Sequence, residues 1–362
     1  MTMQTLPRRL GVAVLTAVIV WFLSVKLDTF RDYQIAEVGV YVTAVAGLTV
    51  LTGLSGQISL GNGAFMAIGA YTTALLLLLH LNWPFIAALV AAAAVTAVAG
   101  GIVGVAAARL RGPYLAGATL MLGVALPSLA FAYQGIFGAD QGLNVVFTAP
   151  GFLGASFPLT RWQAWVSAVV ALVTLVLLAN LCYSRIGRNW RAVRDDEVAA
   201  ALSGVNVAAT RILAFVVSAV CAGLAGSLLA IVTSLVAPGA FTITLSIALL
   251  TAAVIGGLGS LPGAVWGSLL IVLVPTYATD VAASHGLSST VGSNIPIAAY
   301  GAVLIFVMLV FPQGIQGGLL RLLRLFTGPE PQARISRDER APHVTPPADE
   351  APASQHEKEG TS

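Results

Sequence analysis

The sequence predicts an all-α polytopic membrane protein with about 8–10 transmembrane helices. Hydrophobic residues make up 57% of its 362 residues and charged residues only 9%, whereas soluble proteins carry roughly 25% charged residues. Several apolar runs reach the ~20 residues that a helix needs to cross a bilayer core. Arginines lie at the ends of these runs, as in loops that face the cytoplasm. A soluble protein is therefore excluded.

The first half of the chain alternates apolar runs with short polar turns. Arg8 and Arg9 predict a cytoplasmic N-terminus. The first run has no small-x-small cleavage site after it, so an uncleaved span is expected and not a signal peptide. Arg109 and Arg111 mark a return to the cytoplasmic side. The spans predicted in this half are 10–25, 38–52, 64–80, 85–107 and 113–133.

The second half begins with a long outer loop, 134–162. Its segment 243–258 is short and ends in GGLGS, so a span and a re-entrant segment both stay open. The spans predicted here are 163–182, 212–235, 243–258, 264–279 and 295–311, which bring the chain back to Arg321 and Arg324. This count, about ten crossings, places every arginine cluster, and both termini, on one side.

The end of the chain differs in composition from the membrane region, 1–320. Residues 327–362 are rich in Pro, Glu, Asp, Arg and Ser, with almost no large apolar side chains. Such a segment cannot bury a core, so we expect a disordered cytoplasmic tail.

The longest polar interruption is 184–211, which holds SRIGRNWRAVRDDEVAAALSG. Within it, 190–202 predicts a helix with Asn189 as one N-cap, or a shorter helix capped by Asp195 or Asp196, and Gly204 as the stop. The apolar side of this helix would hold Trp190, Val193, Ala200 and Ala201, and the charged side Arg191, Arg194 and Glu197.

Such an amphipathic element is suited to insertion into a groove on a soluble partner. The alternative is a cytoplasmic loop made basic by topology alone. That alternative explains the arginines, but it does not explain the three acidic residues or the small-residue run that ends at Gly204.

Residues 53–76, GLSGQISLGNGAFMAIGAYTTALL, place polar side chains and glycines next to an apolar run. Broken helices of this kind supply polar groups to solutes in several transporters, whereas a small-residue packing face with a loop would look the same. The candidate pathway residues are Ser55, Gln57, Ser59 and Asn62. Thr119 is a further candidate, although a bond to its own backbone is favoured for a helical threonine.

Other features narrow the function further. VIGGLGS, at 254–260, predicts a tight turn, which would also allow a close backbone approach. No GxxxxGK[ST] motif or metal-ligand spacing occurs, so no cofactor or metal is expected. No ionisable residue lies in the middle of a predicted span, which argues against a proton-driven pump. The chain has only two lysines, and its arginines follow topology, so nucleic-acid binding is not expected.

Four blocks in this order resemble the permease subunits of bacterial high-affinity branched-chain amino acid importers, of the LivM type, within the ATP-binding-cassette (ABC) transporters. The blocks are GLSGQISLGNGAFMAIGAYTTALL, RLRGPYLAGATL, GRNWRAVRDDEVAAALSGVNVAATRILAFVVSAVCAGLAGSLLA and SIALLTAAVIGGLGSLPGAVWG. The resemblance implies an ABC importer permease fold in the bacterial cytoplasmic (inner) membrane.

The resemblance also implies partners: a second, LivH-like permease, two ABC ATPase subunits that hydrolyse ATP, and an extracytoplasmic solute-binding protein. The family's ATPase-coupling loop corresponds to 191–206, which implies coupling roles for Arg191, Arg194, Asp195, Asp196, Glu197, Ala199, Ala200 and Gly204. This chain would then form the pathway and would not itself be an enzyme.

Gly61–Asn62 and Leu202–Ser203 depart from the usual family pattern, and a urea or short-amide importer remains an alternative. An ATP-independent secondary transporter or channel is a further alternative function.

Overall fold

The computed structural model describes residues 28–79, 84–110, 112–138, 141–145, 147, 157–284, 289–311 and 314–327, with residues 11, 18, 22 and 24. Most of the first predicted span, 10–25, lies outside the described residues. Arg8, Arg9, Arg111 and the tail beyond Thr327 also lie outside them.

Helices make up nearly all of the described chain. In chain order they are α1 Thr29–Thr49, continued by a π-helical turn Val50–Leu54, α2 Asn62–Leu79, α3 Phe85–Ala107, α4 Pro113–Ala132, α5 Gln134–Phe137, α6 Leu159–Tyr183, α7 Arg185–Asp195, α8 Glu197–Leu202, α9 Val207–Thr233, a 3₁₀ turn Pro238–Phe241, α10 Ile243–Gly256, α11 Leu261–Ser284, α12 Ser289–Val310 and α13 Gly314–Thr327. A single antiparallel pair of two-residue strands is described, β1 Leu143–Asn144 with β2 Leu235–Val236.

The all-α polytopic prediction is confirmed. Within the described residues six helices are long and apolar enough to cross a membrane, or seven if Ala298–Val310 and Gly314–Arg321 form one bent span. Two shorter apolar helices, Asn62–Leu78 and Ile243–Gly256, accompany them. The 14 residues of α10 are about 21 Å long. They therefore cover only part of a hydrocarbon core of about 30 Å.

The α1 and α9 helices form the centre of the bundle. Most of both is buried, whereas only 22–28% of the residues in the most apolar parts of α3, α4, α6 and α11 are buried. Large apolar side chains on these helices are exposed, among them Ile102, Met121 and Leu177. In a protein that crosses a bilayer, such exposed apolar faces suit contact with lipid or with another membrane subunit. The central pair thus packs against α2, α3, α6, α10 and α11.

The α1 helix begins at Thr29, earlier than the predicted residue 38, and carries two acidic residues into the bundle. Asp32 is buried and accepts from Arg161 Nε of α6 at 3.3 Å. The Tyr33 hydroxyl donates to Glu37 at 3.3 Å. These partners offset the cost of removing the carboxylates from water, so the helix extends through them.

Glycines let α2 and α9 touch backbone to backbone. A Cβ on Gly69 would meet the backbone of Gly223, and one on Gly226 would meet the backbone of Met66. Small residues at such crossings are a general means of packing membrane helices closely.

Candidate functional site

Residues 184–206, which we call the polar element, contain the two short helices α7 and α8, and α7 begins directly after Ser184. The Ser184 side chain accepts from Ile186 N at 3.1 Å and caps α7. The prediction of Asn189 as a cap is therefore wrong, because the helix starts more than a turn earlier and Asn189 lies in its middle. Trp190 and Val193 of α7 are buried, as the predicted apolar side requires.

The α8 helix confirms the second capping alternative. Asp196 accepts from Val198 N at 2.8 Å and from Ala199 N at 3.0 Å, which satisfies two donors of the first turn. At the other end Gly204 adopts φ +83°. Gly204 N donates to Ala201 O and Val205 N to Ala200 O, both at 3.0 Å. This is a Schellman C-cap, so the predicted stop at Gly204 is confirmed.

Side chains of α7 bind the ends of three spans. Arg191 Nη2 donates to Cys182 O at the end of α6, at 2.9 Å. Arg194 Nη1 donates to Gly53 O at the end of α1, at 2.6 Å. Trp190 Nε1 donates to Thr210 O near the start of α9, at 3.0 Å. Because helix C-termini leave carbonyls unpaired and carry negative partial charge, both arginines cap a span.

Glu197 is held within the chain by Arg211 of α9. The two side chains form a bidentate pair, with Nη1–Oε1 at 3.2 Å and Nη2–Oε2 at 3.0 Å. This contact links α8 directly to one of the two central helices. The charged residues predicted to face a partner therefore also have partners inside the chain.

The exposed side of α8 is apolar. Val198 is 69% exposed and Leu202, one turn on, is 86% exposed. The predicted apolar side is only partly right, because Ala200 is buried whereas Ala201 is exposed with this pair. Sequence reasoning missed Val198 and Leu202, although their i, i+4 spacing after the Asp196 cap was a usable signal. Exposed apolar side chains at the tip of a polar element are typical of a docking surface.

Between α1 and α2 the helix is broken. After the π-helical turn, residues 56–61 are non-helical, with Gly56 at φ +73°. Ser55, Gln57 and Ser59 are buried, whereas Ile58 is exposed. The Gln57 Nε2 donates to Ser55 Oγ at 2.6 Å and to Arg211 O at 3.2 Å. We refer to residues 55–61 as the broken segment.

The Thr119 hydroxyl forms hydrogen bonds both within its own helix and with the broken segment. Its hydroxyl donates to Leu115 O at 3.0 Å, as the favoured backbone interpretation predicts. The same oxygen accepts from Leu60 N at 3.0 Å. Thr119 lies about 9 Å along α4 from Pro113, so the segment meets it inside the bundle.

The start of α2 is held in a similar way by α10. Ser246 Oγ accepts from Gly63 N at 3.0 Å. The neighbouring Asn62 is 1% exposed, and its Nδ2 has no hydrogen-bond partner in the part of the chain that the structure describes. Of the five predicted pathway residues, the structure brings Ser55 and Gln57 into direct contact and joins Thr119 to the same segment. All five are buried.

The glycine-rich turn between α10 and α11 approaches the end of α1. A Cβ on Gly53 would meet Gly259 N, and Gly259 itself adopts φ +82°. The close backbone approach that the sequence left open is therefore present. It places this turn beside Gly53, the residue that accepts from Arg194.

Comparison with known proteins gives relatives that extend over most of the chain. The family described as "Branched-chain amino acid transport system / permease component" matches residues 32–312. The high-affinity branched-chain amino acid transport system permease protein LivM of Escherichia coli (strain K12) is 29% identical over 327 residues, which cover 84% of this chain and 73% of that protein. LivM of Salmonella typhimurium is 30% identical, over 76% of this chain and 67% of the relative.

A second kind of relative is the permease protein LivH. LivH of E. coli is 30% identical over 292 residues, which cover 76% of this chain and 91% of that protein. A solved structure, PsaBC from Streptococcus pneumoniae in complex with Fab, covers 82% of this chain and 96% of that one. Its TM-score of 0.40 and identity of 16% make that likeness too distant to bear on fold or function.

Proposed function

The chain belongs to the branched-chain amino acid transport permease family, and from that premise we propose that it is a membrane subunit of an ATP-driven importer whose ATPase docks on α8. The observation that carries the docking proposal is the exposed apolar pair Val198 and Leu202. Full burial of a Val or Leu side chain contributes about 1.5–3 kcal/mol. A partner groove that covers both would gain about 3–6 kcal/mol from their burial.

The rest of the polar element supports this role. Asp196 and Gly204 define both ends of α8, so its exposed face is rigid and ready to bind. The contacts of Arg191, Arg194 and Trp190 fix α7 on three spans, so a force applied to α8 reaches the membrane region. In this proposal Arg191 and Arg194 transmit force, whereas Val198 and Leu202 bind the partner.

We further propose that this end of the bundle faces the cytoplasm of a bacterium and that the protein lies in its inner membrane. The arginines of α7 and α9 cluster here, in keeping with the bias of cytoplasmic loops. An ATPase is then available on the same side. A solute-binding protein would deliver solute on the opposite side.

The relatives support our proposals for the identity of the solute and for pairing with a second permease. Both named relatives belong to branched-chain amino acid systems, so leucine, isoleucine and valine are the proposed solutes. Relatives called LivM and LivH both match this chain, which supports pairing between two related permeases. Ser55, Gln57, Ser59, Asn62 and Thr119 are proposed to shape the pathway through the broken segment.

Docking is tested with the double substitution Val198→Asp and Leu202→Asp. Two carboxylates cannot enter an apolar groove without a large desolvation cost, so we expect the variant to lose ATPase binding and leucine uptake. The measurements are ATP hydrolysis that co-purifies with the tagged chain and ³H-leucine uptake by cells. The amount of chain in the membrane should be unchanged, because both residues are exposed.

The matched control is Asn189→Asp, which adds a carboxylate to an exposed position of α7. It should retain both activities. If the double variant hydrolyses ATP and takes up leucine at wild-type rates, the docking role of α8 is wrong. If the wild-type chain moves leucine in liposomes without an ATPase, the chain is a secondary transporter. Competition by urea or acetamide, but not by isoleucine, would instead indicate an amide importer.

A charge exchange tests the link between α8 and α9. Glu197→Arg places two guanidinium groups in contact, so we expect leucine uptake to fall roughly fivefold, the equivalent of about 1 kcal/mol for a partly exposed pair. The double variant Glu197→Arg with Arg211→Glu should regain most of the uptake, because the pair is restored in reverse. Equal uptake in the single and double variants would argue against this contact.

A further inference from the structure

Two hydrogen bonds cross the end of the bundle that we propose faces the ATPase. One joins α7 to the end of α1, and the other joins the start of α9 to the broken segment. Arg194 Nη1 donates to Gly53 O at 2.6 Å. Gln57 Nε2 donates to Arg211 O at 3.2 Å, and Arg211 also holds Glu197 of α8. One bond therefore starts on α7, and the other reaches α8 through the Arg211–Glu197 pair.

The Arg194 side chain is fixed on both sides. Its Nε and Nη2 donate to Asp195 Oδ1 at 3.0 and 2.9 Å, while its Nη1 reaches Gly53. The side chain also lies against Gly56, where a Cβ would approach Arg194 Cγ to 2.9 Å. A guanidinium held in this way transmits displacement, because its planar donors keep their relative positions.

The broken segment has features of an element that changes conformation. It follows a π-helical turn, which often marks a functional site within a helix. Several buried polar atoms in and beside it have no hydrogen-bond partner among the described residues: Thr49 Oγ1, Thr52 Oγ1, Gln57 Oε1 and Asn62 Nδ2. Unpaired buried polar atoms cost free energy, so an arrangement that pairs them would offset part of the cost of moving the segment.

We propose that Arg194 and Gln57 are positioning residues of a coupling joint, through which movement of α7 and α8 displaces the broken segment during transport. The inference rests on the proposed docking of an ATPase at α8. It names the contacts through which movement of the docked helix would reach the broken segment. The joint acts on α1 and the start of α2. The other contacts of α7 and α8 lead to α9, through Trp190 and Glu197, and to α6, through Arg191.

The test separates hydrolysis from transport in the assembled complex, purified through the tagged chain and reconstituted in liposomes. The variants are Arg194→Ala and Gln57→Met, the latter of similar volume but without donors. We expect ATP hydrolysis to stay within about twofold of wild type in both variants. The amount of ³H-leucine moved per ATP should fall about tenfold in Arg194→Ala, which loses a hydrogen bond with a charged group, and about fivefold in Gln57→Met, which loses one between neutral groups. Arg194→Lys should restore part of this ratio, because lysine retains a charged donor.

The matched control is Arg188→Ala, since Arg188 is an exposed arginine of the same helix. It should leave both rates unchanged. Hydrogen exchange of residues 55–61 gives a second measurement: nucleotide should alter their protection in wild type and Arg188→Ala, but not in Arg194→Ala or Gln57→Met.

The outcomes separate this inference from the docking proposal. If Arg194→Ala and Gln57→Met both keep the wild-type ratio of leucine to ATP, the joint is wrong while docking stands. If Arg194→Ala loses the ATPase subunits from the complex, Arg194 is a docking residue and the joint is also wrong. If the Val198 and Leu202 variant keeps its ATPase, the docking proposal itself fails.

Discussion

Replacement of Gly226 by valine is expected to abolish folded protein. A Cβ at this position would meet the carbonyl oxygen of Met66 and approach its Cα to 2.8 Å. The obstacle is backbone on the facing helix, so no side-chain rotation relieves it. Overpacking of a well-packed core typically costs about 1–3 kcal/mol, and separation of α2 from α9, one of the two central helices, should exceed that range.

The measurement is size-exclusion chromatography of a fluorescent fusion in detergent. Gly226→Val should lose the single symmetric peak and accumulate poorly in the membrane. The matched control is Gly101→Ala on α3, where the one described atom near a Cβ would be Val216 Cγ2, at 3.9 Å. That variant should elute as wild type does. A symmetric Gly226→Val peak with an unchanged melting temperature would contradict the backbone contact between these helices.

Thr119→Val is expected to destabilise the broken segment and to reduce transport. The substitution keeps the shape of the side chain but removes the oxygen that accepts from Leu60 N. A buried donor left without a partner costs about 1–3 kcal/mol. We expect a lower melting temperature of the detergent-solubilised chain and lower leucine uptake. Thr119→Ser should restore both, since serine keeps the acceptor.

The matched control for this prediction is Thr251→Val. The Thr251 hydroxyl donates to Ile247 O within its own helix, and no bond to another described element accompanies it. This variant should change the melting temperature little. If Thr119→Val and Thr251→Val lose the same stability, the contact with Leu60 contributes nothing, and the proposed role of Thr119 in the pathway loses its support.

The sequence alone determined the class of the protein and its short-range structure. The deficit of charge and the length of the apolar runs require a membrane region, because a bilayer core excludes unpaired polar groups. The Asp196 cap and the Gly204 stop were also predictable, since each depends on residues within about one turn. The ordered blocks identified the family before any contact was known.

Only the tertiary structure decided what these residues touch. Arg194 meets Gly53 across 141 positions of sequence, and Thr119 meets Leu60 across 59. Carbonyls become free where a helix ends or breaks, and which end lies beside which arginine depends on the packing of the spans. The buried face of a span is also hard to predict from composition, because lipid and protein interior are both apolar. Contacts between spans therefore follow from the close approach of small residues such as Gly226, which hydrophobic patterning does not predict.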